Sequence, residues 1–189
     1  MPESFISGRI GKTALELRVG DITRIAADAL VNAANAELRP GGGVDGAIHR
    51  VGGPSIEQQC RVIGGCAPGG AVVTGAGDLM AKYIIHTVAP RYSGKPADAQ
   101  LLRSAYANAL KRADELKVVS IAFPSLGTGS YGYPIEQAAP IALDTIGRFV
   151  SAGSSLEKVI IVLFTQGDYA AYERLFPKRP GSSSATRSG

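Results

Sequence analysis

The sequence predicts a layered α/β domain, and three observations carry the prediction. Short apolar runs such as Ala29 to Ala33 and Val118 to Phe123 lack the alternation of a half-wet strand, which suits strands buried on both faces. The stretch from Ala97 to Leu116 sets Leu101, Leu102, Ala105, Ala109, Leu110 and Ala113 on one side and its charges mainly opposite. Stretches of these two kinds alternate along the chain, the pattern of a sheet covered by helices.

In chain order, Thr13 to Val19 alternates Leu15, Leu17 and Val19 with Glu16 and Arg18, as a sheet-edge strand with one wet face does. Phe5 to Ile10 pairs with it across Gly11, so antiparallel pairing is expected at the amino-terminal edge. Gly20-Asp21-Ile22-Thr23 breaks the strand and begins a short helical turn, at which Asp21 is either a cap or a ligand contact. Ala29 to Ala33 is a central strand. Helical periodicity follows from Val44 to Val51 and from Ser55 to Val62, with Pro54 and Ser55 at a start position. Gly64 to Gly70 is too glycine-rich for a regular element. Ala71 to Thr74 and Tyr83 to Ala89 are strands, Ala97 to Leu116 a helix and Val118 to Phe123 a strand. Pro134 stands where a first helical turn tolerates proline, ahead of a helix from about Ile135 to Val150. Lys158 to Phe164 is the last strand and Tyr169 to Phe176 the last helix. Pro177 to Gly189 is polar and of low complexity, which predicts a flexible tail and a single domain over residues 1–176.

With 189 residues, 45% of them hydrophobic, the chain can bury a core without disulfide or metal staples. The net charge of +4 is mostly the tail's. Lys178, Arg179 and Arg187 lie there with no acid beside them, and the rest carries 17 basic against 16 acidic side chains. That balance lacks the cation excess of a protein held by many nucleic-acid phosphates. Cys60 and Cys66, with five residues between them, fit neither a zinc ligand pair nor a secreted disulfide framework. No apolar signal core or membrane-length run is present, so a soluble, cytoplasmic chain with no membrane partner is expected.

The chemistry concentrates between Ala29 and Gly53. A strand ends at two asparagines, and a glycine-rich segment then delivers Asp45 to the start of a helix. Ligands of open α/β sheets gather outside the carboxyl ends of strands, where loops present unpaired N–H groups. Gly41 to Gly46 and Gly127 to Gly132 each fit G-x-G-x-x-G. The first, however, trails its strand by Ala34 to Pro40 with no acid about twenty residues on, and the acids after the second lie in a helix. A Rossmann site is thereby disfavoured. Two loops with little side chain remain, able to clamp one diphosphate between backbone N–H groups.

Five motifs then occur in one order: GDIT at Gly20, DALVNAAN at Asp28, GGGVDGAIH at Gly41, YIIHTVAP at Tyr83 and SLGTGSYGYP at Ser125. Together they resemble a macrodomain of the MacroD type from about Gly20 to Phe176. The resemblance implies a three-layer α/β/α sandwich around a mixed sheet, with ADP-ribose in a cleft at the strand ends. It implies an enzyme that removes ADP-ribose from acidic side chains and often deacetylates O-acetyl-ADP-ribose, with ADP-ribosylated proteins as partners. Carried over by residue, Asp21 takes the adenine amino group, the backbone of Ile22 the neighbouring ring edge, and Phe164 packs against adenine, core packing being the alternative. Gly43, Val44 and Gly46 surround the diphosphate from one side, and Ser125, Gly127, Thr128, Gly129, Ser130, Tyr131 and Gly132 from the other. Tyr131 flanks the distal ribose, Asn35 hydrogen-bonds it, and Asp45 sits by the reacting carbon. Pro40, where the family often has glycine, and the wording of the second loop depart from the pattern.

Cleaving a glycosidic ester at the distal ribose builds positive charge on the ring, needs a placed water and expels a carboxylate that hardly requires an acid. One carboxylate and one amide can suffice: Asp45 positions or deprotonates water, Asn35 fixes the ribose, and either Asp45 or a substrate phosphate takes the proton. Asp45 as a mere helix cap is the plain alternative. Asn32 is expected to tie the loop's backbone. His49 either pairs with Asp45 or simply packs, and His86 is expected to be a satisfied core histidine. Two histidines and two cysteines at these spacings offer no metal set, and no cofactor is expected. A non-catalytic ADP-ribose reader and an ADP-ribose-1″-phosphate phosphatase share the same pocket. Asn35 and Asp45 together favour the hydrolase.

Overall fold

The computed structural model describes residues 5–177. Beyond Pro177, the tail expected from the sequence lies outside the described residues. A single seven-stranded sheet organises them in the order β1-β2-β7-β6-β3-β5-β4. Its strands are β1 (Phe5–Ile10), β2 (Thr13–Val19), β3 (Ala29–Ala33), β4 (Ala71–Gly75), β5 (Tyr83–Thr87), β6 (Ser120–Phe123) and β7 (Lys158–Leu163). The five inner strands run parallel, while β1 and β4 pair antiparallel at the two edges.

Helices cover both faces. The helices α3 (Pro96–Glu115), α4 (Ile135–Ser151) and α5 (Gln166–Glu173) bury one core with Val31, Ile85, Ile121 and Ile161 from the sheet. The opposite core, under α1 (Gly43–Gly52) and α2 (Pro54–Ile63), takes Leu30, Ile84, Ala122 and Ile160. Neighbouring residues of one strand thus enter different cores, which is why the inner strands read as unbroken apolar runs. Among the described residues, no helix is long and apolar enough to cross a membrane.

Two elements depart from the sequence reading. β2 is not the edge: it pairs with β1 on one side and with β7 on the other. Its Glu16 is buried because Lys158 of β7 and Arg18 approach the carboxylate at 2.8 and 2.7 Å. An ion pair across two strands, rather than water, therefore satisfies the alternating polar position. The last helix runs three residues earlier than expected, because Thr165 caps it by accepting from the Asp168 N–H at 3.1 Å.

The topology opens one crevice. From β3 the chain passes through α1 and α2 towards β4 and β5, whereas from β6 it passes through α4 on the other face to β7. The register between β3 and β6 covers only Ala29↔Ile121 and Leu30↔Ala122. Their carboxyl ends therefore separate, and the loops that follow them face each other across the gap.

Candidate functional site

A cavity of about 440 Å³ fills that gap. The loop after β3 and the start of α1 form one wall and the loop after β6 the other, and Ala89 and Arg91, past the end of β5, complete the lining. Of the residues singled out by sequence, Asn35, Gly43, Val44 and Asp45 line the first wall, and Ser125, Gly127, Gly129, Ser130 and Tyr131 the second. Gly46, Thr128, Gly132, Asp21, Ile22 and Phe164 do not line this cavity.

Asp45 is 5% exposed, in the first turn of α1, and it does not cap the helix; Gly42 holds the cap position. Its Oδ2 accepts the Gly41 N–H at 2.6 Å, and its Oδ1 accepts from Asn32 Nδ2 at 2.6 Å. His49, one turn along α1 and likewise buried, brings Nε2 to 3.5 Å from the same Oδ1. A Cβ on Gly41 would lie 3.2 Å from Asp45 Oδ2 and 3.5 Å from Asn35 Nδ2, so both side chains face one point of the cavity that glycine leaves open. Gly46 serves the same wall indirectly. A Cβ there would stand 2.4 Å from the Gly41 carbonyl oxygen, which is how closely α1 packs on its own leading loop.

The two asparagines divide their work differently from the sequence expectation. Asn32 does not tie the loop backbone; fully buried in β3, it reaches Asp45 and, at 3.0 Å, Nδ1 of His86. Asn35 ties the loop instead, donating to the Arg39 carbonyl at 2.6 Å and accepting the Arg39 N–H at 3.0 Å. An amide nitrogen carries two hydrogens, so Asn35, which lines the cavity, can donate one further bond. The alternation of β3 explains the difference, since Asn32 points into the α1 side and Asn35 lies past the strand's end.

His86 is a satisfied core histidine, with Thr74 Oγ1 at 2.9 Å from Nε2. Burial pushes its pKa down to about 3, and the neighbouring His49 pushes the same way. Burial also pushes the Cys60 thiol up to about 11, aided by Asp45 and Glu57, so Cys60 remains protonated and inert. Both cysteines are free. Among the described residues, no group of three or more His, Cys, Asp or Glu is placed to hold a metal ion.

The second wall rests on tyrosines that sequence reasoning missed. Tyr106 of α3 accepts the Leu126 N–H at 3.0 Å, Tyr172 of α5 stands 3.0 Å from Ser125 Oγ, and the two phenols are 3.4 Å apart. Burial raises both phenol pKa values, so both stay neutral. Their only sequence signal is an apolar helix position filled by a tyrosine, whose hydroxyl needs a partner when buried. Thr128 donates to the Ser125 carbonyl at 3.2 Å, and Gly127 and Gly132 have φ of +78° and +71°, so these three shape the loop. Arg91, just beyond the YIIHTVAP motif, was also missed. Its guanidinium lies 4.4 Å from the Tyr131 ring centroid and lines the cavity.

Outside the cavity lining, Asp21 caps the 3-10 turn at Ile22–Arg24, its Oδ1 accepting from Thr23 N and Oγ1 at 2.9 and 2.7 Å. Its Oδ2 has no hydrogen-bond partner among the described residues. Ile22 is buried. Phe164 is 77% exposed directly after β7, which excludes the core-packing alternative.

The family model described as Macro domain matches residues 31–142. A macro domain-containing protein of Caldanaerobacter subterraneus is 49% identical over 170 residues, 87% of this chain and 97% of the relative. A Pantoea vagans protein named O-acetyl-ADP-ribose deacetylase 1 is 48% identical over 161 residues, 82% of this chain and 94% of its own. Among solved structures, the Oceanobacillus iheyensis macrodomain with ADP is 38% identical with a TM-score of 0.89, covering 92% of this chain and 95% of that one.

Proposed function

This chain belongs to the Macro domain family, and from that premise we propose that it binds ADP-ribose and hydrolyses esters on the distal ribose. The substrates are O-acetyl-ADP-ribose and ADP-ribose linked to Asp or Glu side chains. One observation carries the reading: a buried carboxylate, Asp45, is held by the Asn32 amide and the Gly41 N–H and is directed at the same point of the cleft as Asn35.

A cleft for a nucleotide diphosphate alone would not require this carboxylate, since a negative charge opposes phosphate. It is suited instead to hold a water. The two glycine-bearing loops offer backbone N–H groups to the diphosphate, and Asn35 and Tyr131, both in the cavity lining, grip the ribose beyond it. With the ribose held, Asp45 directs the water. At an Asp- or Glu-linked ester the water attacks the anomeric carbon and the carboxylate leaves as an anion without an acid. At an acetyl ester it attacks the carbonyl carbon and the ribose oxygen leaves, taking up the proton that the water gave to Asp45 or to a substrate phosphate. Arg91, beside Tyr131 in the cavity lining, supplies a positive charge for the diphosphate. At the adenine end, the free Oδ2 of Asp21 matches an amino donor and the exposed Phe164 ring matches a purine face.

The experiment is paired. The protein is incubated with O-acetyl-ADP-ribose and with a glutamate-linked ADP-ribosylated protein, and its affinity for free ADP-ribose is measured by calorimetry. Release of acetate and of ADP-ribose is expected. Tight binding with no release from either substrate would leave a reader module and refute the hydrolase.

A further inference from the structure

The cleft does not account for His86. It stands within β5, fully buried, outside the cavity lining, yet both of its ring nitrogens have partners. Nδ1 is 3.0 Å from Asn32 Nδ2, Nε2 is 2.9 Å from Thr74 Oγ1, and Cys60 Sγ lies further off at 3.8 Å.

These contacts determine where the ring proton sits. The Asn32 amide nitrogen has two hydrogens; one goes to Asp45 Oδ1, so the other points at His86, whose Nδ1 must then offer its lone pair. The proton is on Nε2 and is donated to Thr74, whose own hydroxyl donates to the Gly75 carbonyl at 2.9 Å. From Gly75 back to Asp45 every donated hydrogen therefore has one acceptor and no link can be reversed alone. If the Asn32 amide turned over, its oxygen would stand against the Asp45 carboxylate. The observed orientation is retained although it leaves Asn32 Oδ1 buried without a partner among the described residues. Packing alone would not select it. The ionisable groups around this chain are His49 on α1, Cys60 on α2 and Asp45 itself; the Cys60 thiol is neutral and the buried His86 ring stays uncharged.

We propose that His86 is a positioning residue for the hydrolysis: its Nε2–H tautomer, held by Thr74, keeps the Asn32 amide turned to donate to Asp45, which fixes the carboxylate that directs the water. This rests on the role given to Asp45 above and extends it to two side chains that touch no ligand. Asp45 has a second anchor in the Gly41 N–H, so losing the Asn32 donor lets the carboxylate swing about that anchor rather than leave the site. Binding of product survives and the chemical step suffers.

The test uses three full-length variants assayed with O-acetyl-ADP-ribose. His86→Leu removes the acceptor, His86→Asn restores an acceptor oxygen near the Nδ1 position, and Thr74→Val removes the group that selects the tautomer. His86→Leu should lower kcat by about 10- to 10²-fold, the scale of a misplaced catalytic group, with ADP-ribose affinity by calorimetry changed less than about twofold. His86→Asn should recover most of the rate, and Thr74→Val should fall between. A His86→Leu variant with parental kcat would overturn the proposal. So would one that loses affinity in step with kcat, or a His86→Asn variant no faster than His86→Leu. The tautomer is read separately by long-range nitrogen–proton NMR of the parent. Nε2–H is expected, and Nδ1–H would overturn the proposal whether or not the protein turns over. A parent without turnover counts instead against the hydrolase reading, and the two failures are distinguished in one set of samples.

Discussion

Nδ2 of Asn32 lies 2.6 Å from Oδ1 of Asp45, a buried bond between the middle of the sheet and the first turn of the helix that covers it. The Gly41 N–H holds the other oxygen at 2.6 Å, so the carboxylate plane is set by two donors from different elements. Such a group is arranged before any substrate arrives, which is the condition for acting on the transition state rather than on binding. Asp45→Ala should therefore slow ester hydrolysis by about 10²- to 10⁴-fold while free ADP-ribose binds as tightly as before. Steady-state kinetics and calorimetry on the same preparation check this. Full turnover in the variant would remove Asp45 from the chemistry.

Asp21 caps through one carboxylate oxygen, which leaves the other for the proposed adenine contact. Oδ1 caps the 3-10 turn through Thr23, and Oδ2 has no hydrogen-bond partner among the described residues. Asp21→Ala should weaken ADP-ribose binding by about 1.5–3 kcal/mol, the scale of a hydrogen bond to a charged group, and should cost about 1 kcal/mol of stability as a lost cap. Calorimetry with urea unfolding separates the two. Unchanged affinity would leave Asp21 a cap only.

Phe164 at 77% exposure contributes little to the fold. Phe164→Ala should alter stability by less than about 0.5 kcal/mol, as surface changes do, yet weaken ADP-ribose by about 0.5–1.5 kcal/mol through the lost ring contact. Distal-ribose analogues lacking adenine should not notice the change. A large fall in stability would show that the ring packs on the domain after all.

Gly46 cannot accept a side chain without moving the loop, since its Cβ would meet the Gly41 carbonyl oxygen at 2.4 Å. Gly46→Ala should destabilise the protein by about 1–3 kcal/mol and, because Gly41 carries the N–H that holds Asp45, should reduce turnover more than the stability loss explains. Thermal unfolding and kcat of the variant test it. An unaltered kcat would mean that the loop yields without disturbing Asp45.

His86 makes folding sensitive to acid in a defined window. The ordinary histidine value is 6.5, and in the fold the ring holds out to about 3. Between those values the unfolded chain binds a proton that the folded chain refuses, so this contribution to stability falls as pH drops from 6.5 towards 3. From pH 7 to pH 5 it amounts to about 2 kcal/mol. Urea unfolding of the parent and of His86→Asn at both pH values isolates it. Equal losses in the two proteins would show that other groups carry the acid response.

Sequence alone determined the parts whose physics is local. Unbroken apolar runs marked the inner strands because each residue of a doubly buried strand meets a core, and glycine loops with an aspartate at a helix start marked the cleft because bare backbone and charge concentrate there. The five ordered motifs carried the family. The tertiary structure decided what stands opposite each residue. β2 became an inner strand because β7, far along the chain, brings Lys158 to Glu16, and no local alternation announces that partner. Asn32 and Asn35 look interchangeable three residues apart; only the closing of α1 and β5 onto β3 gives one Asp45 and His86, and leaves the other to its own loop. Arg91 over Tyr131 and the paired phenols of Tyr106 and Tyr172 were illegible for the same reason. A side chain's periodicity states which face it occupies, whereas its hydrogen-bond partner is set by where distant elements of the sheet come to rest.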